Sequence, residues 1–374
     1  MSLEVTDDVT AASLARFDML IDARSPGEFA EDHLPGAVNL PVLTDAERAE
    51  VGTIYVQDDR FKARRVGGAY VAKNVAHHLQ TALADKPGGF RPLIYCWRGG
   101  MRSGAMATIL SQVGWRTTVL TGGYRTYRRE VVKRLYDGEL DHQFVLLDGH
   151  TGTGKTEILN LLAEQGLQTL DLEGLAAHRG SLFGAVPGRP QPSQKLFESR
   201  LLAALAAFDA ARPVVAEAES SKIGDRMVPP ALWTRLAEAP RIELTADRAD
   251  RARYLVGAYA DIVADRAALE DIFLRLPVSP SAERLASWRA MADAGAFADL
   301  AAAIMGLHYD PAYDRSRKRH DRPLLGALDL APDDPASLAS AAGEVARLVG
   351  ALDAWSPRRD VQVNNGNSRE NGHG

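Results

Sequence analysis

The chain has little cysteine: one residue, Cys96, in 374. A lone thiol excludes an internal disulfide and any zinc site built from several cysteines. It also fits a reducing compartment. Long hydrophobic runs are missing, and no stretch approaches the ~20 apolar residues that a membrane span needs. Met1–Asp8 shows neither a basic n-region nor an apolar h-region, so no secretory signal is legible. These absences set the expectation of a cytoplasmic enzyme with no membrane partner. Net positive charge is lacking too. The formal net charge is -5, so the molecule as a whole does not attract nucleic acid. Local basic runs still stand at 124–129, 248–253 and 315–322.

What is present reads as soluble and globular, with 46% hydrophobic and 25% charged residues. The length suggests two domains. In the first, short apolar strands (Asp18–Asp22, Arg91–Tyr95, Thr117–Leu120) alternate with helical stretches (Gly68–Ala84, Ser103–Val113). Such alternation predicts a mostly parallel sheet covered by helices, with ligand sites beyond the carboxyl ends of strands. The charged, helix-compatible segment Tyr124–His142 reads as the connection. A buried strand, Gln143–Asp148, opens the second unit, and a helix over Thr156–Glu164 follows it. Further strands are expected at Leu167–Leu170, Pro213–Ala216 and Arg241–Leu244, and alanine-rich helices at Ser199–Arg212 and Ala282–Ala292. The fold class is therefore α/β: a first domain over 1–135, a second over 136–355, and a tail over 356–374. The tail, rich in Asn, Gly, Arg and Ser, is expected to be disordered.

Two loops carry chemistry. The first is Cys96-Trp97-Arg98-Gly99-Gly100-Met101-Arg102, between an apolar strand and a helix. A thiolate becomes a useful nucleophile when amides, a helix N-terminus or cations stabilise it. Gly99 and Gly100 let successive amides turn inward, the helix adds its positive end, and Arg98 and Arg102 offer charge. Met101 reads as steric lining. The expectation is an ionised, solvent-reachable Cys96 ringed by main-chain donors.

The second loop, Gly149-His150-Thr151-Gly152-Thr153-Gly154-Lys155-Thr156, matches the Walker A pattern in full, with a strand before it and a helix after it. Its amides and Lys155 suit a phosphate, and Thr156 is placed to reach Mg2+. A nucleotide hydrolase would add an apolar strand ending in Asp. Here the run Pro213–Ser221 offers Glu217 or Glu219 for metal or substrate. Phosphate binding is expected; nucleotide turnover does not follow.

The cysteine loop resembles that of the rhodanese superfamily, together with Ile21–Phe29 and the turn His33-Leu34-Pro35-Gly36-Ala37. It is slightly longer than in simple sulfurtransferases and resembles the loop of cysteine phosphatases on the same fold. The loop alone leaves phosphatase, sulfurtransferase and selenium transferase open. A rhodanese-like domain followed by a P-loop NTPase-like α/β domain looks like the bacterial tRNA 2-selenouridine synthase family. Asp171–Gly184, Gln191–Glu198, Glu217–Gly224, Leu120–Arg128 and His308–Asp314 are similar to that family as well.

The resemblance implies a transferase acting on the wobble 2-thiouridine of tRNA. It replaces sulfur by selenium from selenophosphate, and it attaches a geranyl group from geranyl diphosphate on the way. No cofactor is firmly implied beyond a place for Mg2+. The implied partners are the tRNA anticodon region and a selenophosphate-supplying enzyme. On this chain Cys96 would serve the selenium exchange, and Gly149, Gly152, Gly154, Lys155 and Thr156 would hold a diphosphate. Arg179, Tyr309, Tyr313 and Arg315 are candidate tRNA contacts, since aromatic side chains stack on unpaired bases; Trp288 has the same capacity. The alternative is a rhodanese-fold sulfurtransferase or cysteine phosphatase fused to a nucleotide-binding domain.

Overall fold

The computed structural model describes residues 3–98, 100–181, 184–186, 188–276, 280–317 and 322–352. Gly99 and the tail expected over 356–374 lie outside them. Two parallel five-stranded sheets organise the chain. The first contains β1 (Glu4–Thr6), β2 (Met19–Asp22), β3 (Ala37–Asn39), β4 (Pro92–Tyr95) and β5 (Thr118–Leu120), in the order β1-β5-β4-β2-β3. The second contains β6 (Phe144–Gly149), β7 (Gln168–Leu170) and β8 (Val214–Glu217). After the small antiparallel pair β9 (Lys222–Ile223) and β10 (Arg226–Met227), it is completed by β11 (Arg241–Thr245) and β12 (Leu324–Asp329). Its order is β12-β11-β6-β8-β7. β4 and β6 are buried along their whole length, as strands with helices on both faces must be.

Several expected boundaries move, each for a local reason. The helix expected from Gly68 starts at Arg60, because the Asp59 carboxylate caps it by accepting from Lys62 N–H, and it ends at Gln80. The helix expected over Ser199–Arg212 spans Gln194–Ala207, because Ser193 Oγ accepts from Leu196 N–H. β12 has no counterpart in the expected strands. Leu324-Leu325-Gly326-Ala327-Leu328-Asp329 is apolar but glycine-interrupted, and it pairs only with β11, 79 or more residues earlier in the chain.

The segment expected as a connection is a structural joint. Tyr124–Val132 is helical and runs into a π-helical turn at Lys133–Asp137. Tyr124, Tyr127, Val131 and Leu135 are buried in an apolar cluster that also holds Leu93 and Tyr95 of the first sheet and Phe144 and Val214 of the second. Each such side chain contributes about 1.5–3 kcal/mol when fully buried. Polar contacts lock the joint. Tyr124 Oη donates to Asp32 at 2.6 Å, Arg128 pairs with Glu198, and Lys195 pairs with Glu31 at 2.6 Å. The two units therefore share one core through this helix.

Residues 248–276 and 280–317 form a helical layer, with its own apolar cluster around Phe273, Trp288 and Leu300. Trp288 is 2% exposed, so it is core and offers no face to a base. No helix among the described residues is long and apolar enough to cross a membrane.

Candidate functional site: a cysteine cup and a phosphate-loop cavity

β4 ends at Tyr95, and the helix Met101–Val113 begins five residues after Cys96. This strand–loop–helix geometry folds the loop's amides around the sulfur. Ser103 Oγ donates to Cys96 Sγ at 3.2 Å. Burial opposes the thiolate. Hydrogen bonds from the Ser103 hydroxyl and amide, then from the amides of Gly100 and Arg98, outweigh it and hold the thiol below its ordinary value. The expected ring of main-chain donors is present. The expected open access is not: Cys96 is 3% exposed.

The charges expected at the cup are placed differently. Arg102 is engaged by Glu28, with contacts of 2.7 and 3.3 Å, and those opposite charges largely cancel. Arg98 is exposed and contributes through its amide. Met101 is 71% exposed. Behind the cup, Arg24 is buried with Asp22 at 2.6 Å, donates to the Asp32 carbonyl at 2.6 Å and lies 4.1 Å over the Tyr124 ring. The Asp22-Ala23-Arg24 corner is thus a brace for the sheet end. Ser103, the side-chain donor that sequence reasoning left without a role, had a legible signal: it sits one turn into the helix that leaves the cysteine loop.

The glycine loop joins β6 to the helix Lys155–Glu164. Gly154 has φ +72°, a left-handed conformation that favours glycine. Gly149 leaves no room for a side chain, since a Cβ there would lie 2.7 Å from the Leu244 carbonyl oxygen and from Thr153 Oγ1. Lys155 Nζ donates to Gly149 O at 3.0 Å, and Thr156 Oγ1 donates to Glu217 Oε1 at 2.9 Å. Glu217 ends β8, the strand beside β6, where the metal-side carboxylate of a phosphate loop belongs. The loop is held from outside by Arg251, which donates to Thr151 O at 3.1 Å and makes two 3.0 Å contacts with Asp310.

A cavity of about 670 Å³ opens over this loop. Lys155, Arg179 and Arg322 supply its positive charge, and Glu173 and Glu219 face it as well. Burial, then the charges of Glu217 and Glu219, push Glu173 up. Burial, then Glu219 and Asp171, push Glu217 up. Burial and neighbouring negative charge thus favour the protonated forms of Glu173 and Glu217, and a cation bound beside them would favour the ionised ones. Glu217 is 1% exposed, and its Oε2 has no hydrogen-bond partner among the described residues. That orphaned oxygen and the Thr156 hydroxyl fit Mg2+, which takes one or two carboxylates and fills its shell with water and phosphate oxygens. No group of three or more His, Cys, Asp or Glu among the described residues forms a self-sufficient metal site.

Three residues expected to contact tRNA belong to this cavity. Tyr313 Oη donates to Asp148 Oδ1 at 2.9 Å and accepts from Gly149 N–H at 3.3 Å, so its ring is fixed against the loop and is not free for base stacking. Arg179 pairs with Asp261 at 3.1 Å and lies over the Tyr259 ring. Tyr309 lines the cavity wall. Arg315 is exposed and absent from the lining; much of the basic run after it lies outside the described residues. Cys96 does not line the cavity either, so thiol and phosphate loop do not share this chamber.

Fold and site together define a two-unit α/β protein in which a cupped-thiol unit is fused to a phosphate-loop unit. The comparisons agree with that class. Residues 6–130 match the rhodanese-like domain, and residues 142–271 match the AAA domain of tRNA 2-selenouridine synthase. A tRNA 2-selenouridine synthase of Cupriavidus necator is 35% identical over 263 residues, 67% of this chain and 69% of that protein. One of Verminephrobacter eiseniae is 39% identical over 66% of this chain and 68% of that protein. The chain belongs to the tRNA 2-selenouridine synthase family. The match to the Nitrosomonas europaea relative, at 37% identity, spans 60% of that protein's length. Among solved structures, a rhodanese-related protein from Thermoplasma volcanium is 15% identical over 34% of this chain and 93% of that one. Its TM-score is 0.23, a likeness that carries no argument.

Proposed function

We propose that this chain is a tRNA 2-selenouridine synthase that exchanges the sulfur of wobble 2-thiouridine for selenium from selenophosphate, by way of S-geranylation with geranyl diphosphate. The observation that carries the reading is the pairing, in one chain of this family, of a hydrogen-bonded thiol cup with a separate phosphate-loop cavity. Two sites suit two half-reactions.

In the first half-reaction, the loop amides, Lys155 and Arg322 bind the diphosphate, and Thr156 with Glu217 would hold Mg2+ against it. The bound ion supplies charge neutralisation to the leaving group. The C–S bond forms at the nucleobase sulfur as the C–O bond to the diphosphate breaks. The diphosphate leaves with the bonding pair, and the base ring loses its N–H proton to solvent. Alkylation turns the sulfur into a better leaving group.

In the second half-reaction, Cys96 serves the exchange. Its thiolate, stabilised by Ser103 and the loop amides, bonds the base carbon as geranyl thiolate departs. Selenium of selenophosphate then displaces Cys96, and water cleaves the P–Se bond to release phosphate. No oxidant is required. The partner is the anticodon region of tRNA, and an enzyme supplying selenophosphate must act upstream. Because Cys96 is covered, the cup has to open when tRNA docks.

Mass spectrometry of wobble nucleosides from cells with and without this chain tests the reading. Loss of 2-selenouridine on deletion is the expected result. Unchanged nucleosides would leave the sulfurtransferase or phosphatase alternative in its place.

A further inference from the structure

A second cavity, of about 90 Å³, lies inside the helical layer behind the glycine loop. Its walls include Leu255, Ile262, Leu269, Phe297, Leu300 and Ile304, and no charged side chain lines it. Thr151, Ser181, Leu255, Tyr259 and Tyr309 line both this chamber and the phosphate cavity, so the apolar space opens at the phosphate loop itself. A buried water needs two to four polar partners, and this chamber offers hydroxyls only at its mouth. Protein interiors are otherwise packed to the density of organic crystals, and an unfilled apolar void costs stability. An apolar void kept next to an anion site fits a ligand with an anionic head and a hydrocarbon tail. On the scale where one water takes about 10–15 Å³, the chamber admits roughly six to nine water-sized groups. That is the size of a short chain.

We infer that the hydrocarbon chain of a short prenyl diphosphate enters this chamber while its diphosphate sits on the glycine loop, and that the chamber's depth limits the chain length accepted. The inference rests on the phosphate-loop reading given above and adds the tail site to it. Tyr259 and Tyr309 stand at the junction, where an allylic carbon beside the diphosphate would lie.

Titration calorimetry of the full chain tests this, with inorganic diphosphate, geranyl diphosphate and a twenty-carbon prenyl diphosphate as probes. Geranyl diphosphate is expected to bind at least about tenfold more tightly than inorganic diphosphate, because several methylenes leave water, and the twenty-carbon ester is expected to lose that gain. Ala301→Phe and Val263→Phe fill the chamber from two different helices. Each should erase the preference for the geranyl ester while leaving affinity for inorganic diphosphate within about twofold, and that retained affinity also shows that the variant is folded. Equal affinity of the unaltered protein for inorganic and geranyl diphosphate overturns the tail site alone. So does a preference that survives both substitutions. If inorganic diphosphate does not bind at all, the phosphate-loop reading fails first, and the tail site falls with it.

Discussion

The cysteine cup and the phosphate cavity solve opposite problems. The cup stabilises one small anion with neutral donors. Its charged neighbours, Arg102 with Glu28 and Arg24 with Asp22, are tied up in pairs. The cavity gathers ionisable groups instead, with Lys155, Arg179 and Arg322 lining it beside Glu173 and Glu219, and burial with neighbouring negative charge pushes Glu173 and the adjoining Glu217 up. A cup of amides holds a reactive atom without inviting bulk water. A charged chamber waits for a multiply charged ligand that rebalances it. The two sites should therefore respond to different perturbations.

Cys96→Ser should reduce selenation by at least about a hundredfold, because a hydroxyl ionises far less readily than a thiol that the cup holds below its ordinary value. Geranyl transfer should persist, since Cys96 lies outside the cavity. Quantifying both modified nucleosides in one assay checks the pair of outcomes, and loss of both activities together would refute two independent sites. Asp310→Ala acts on the cavity's scaffold. It leaves Arg251, 5% exposed, without its carboxylate partner. Breaking a buried pair from one side costs about 3–5 kcal/mol. A urea titration should show that loss together with weakened diphosphate binding, because Arg251 also holds Thr151 O. Lys155→Ala should weaken diphosphate binding and geranyl transfer about 10- to 150-fold, the value of a charge-assisted contact of about 1.5–3 kcal/mol. Normal geranyl transfer by that variant would refute the placement of the diphosphate.

Both sites were legible in the sequence to different depths. The glycine loop was readable because its chemistry is main-chain chemistry: glycine positions, a lysine and a strand–helix frame fix where the amides point. The cup was readable for the same reason, through Gly100 and the helix start. Side-chain partnerships were not. Nothing local reveals that Arg102 meets Glu28, 74 residues earlier, or that Tyr313 reaches across 164 residues to the first glycine of the loop. Aromatics beside a basic run read as base-stacking groups until the fold carried Tyr309 and Tyr313 to the phosphate cavity. Glu217 was legible because it ends an apolar strand. Glu173 was not, because a single acid in a short helix gives no hint of the burial that raises it.

Glu217 is raised to about 8, from an ordinary carboxylate value near 4.5. Between those limits the unfolded chain has released a proton that the fold retains. The unfolded state then binds fewer protons, and stability falls as pH rises through the window. Glu217→Gln removes the titration and keeps an oxygen for Thr156. The variant should melt a few degrees higher than the parent at pH 8, with the gain vanishing toward pH 4.5. A gain that does not shrink on acidification would show that Glu217 is ionised in the fold.

The cup should show the reverse pattern under its own mildest change. Ser103→Ala removes the side-chain donor to Sγ and leaves the amides of Ser103, Gly100 and Arg98. The thiol should rise toward its ordinary value, with the shift read from the pH dependence of alkylation by a small haloacetamide in the presence of tRNA. Selenation near neutral pH should fall several-fold, in line with about 1 kcal/mol for one hydrogen bond, and should recover at higher pH as the thiolate reforms. Recovery is the informative outcome. A Ser103→Ala enzyme that stays slow at every pH would mean that the hydroxyl positions the sulfur, whereas pH rescue shows that it supplies the electrostatic half of the cup that the amides cannot complete alone.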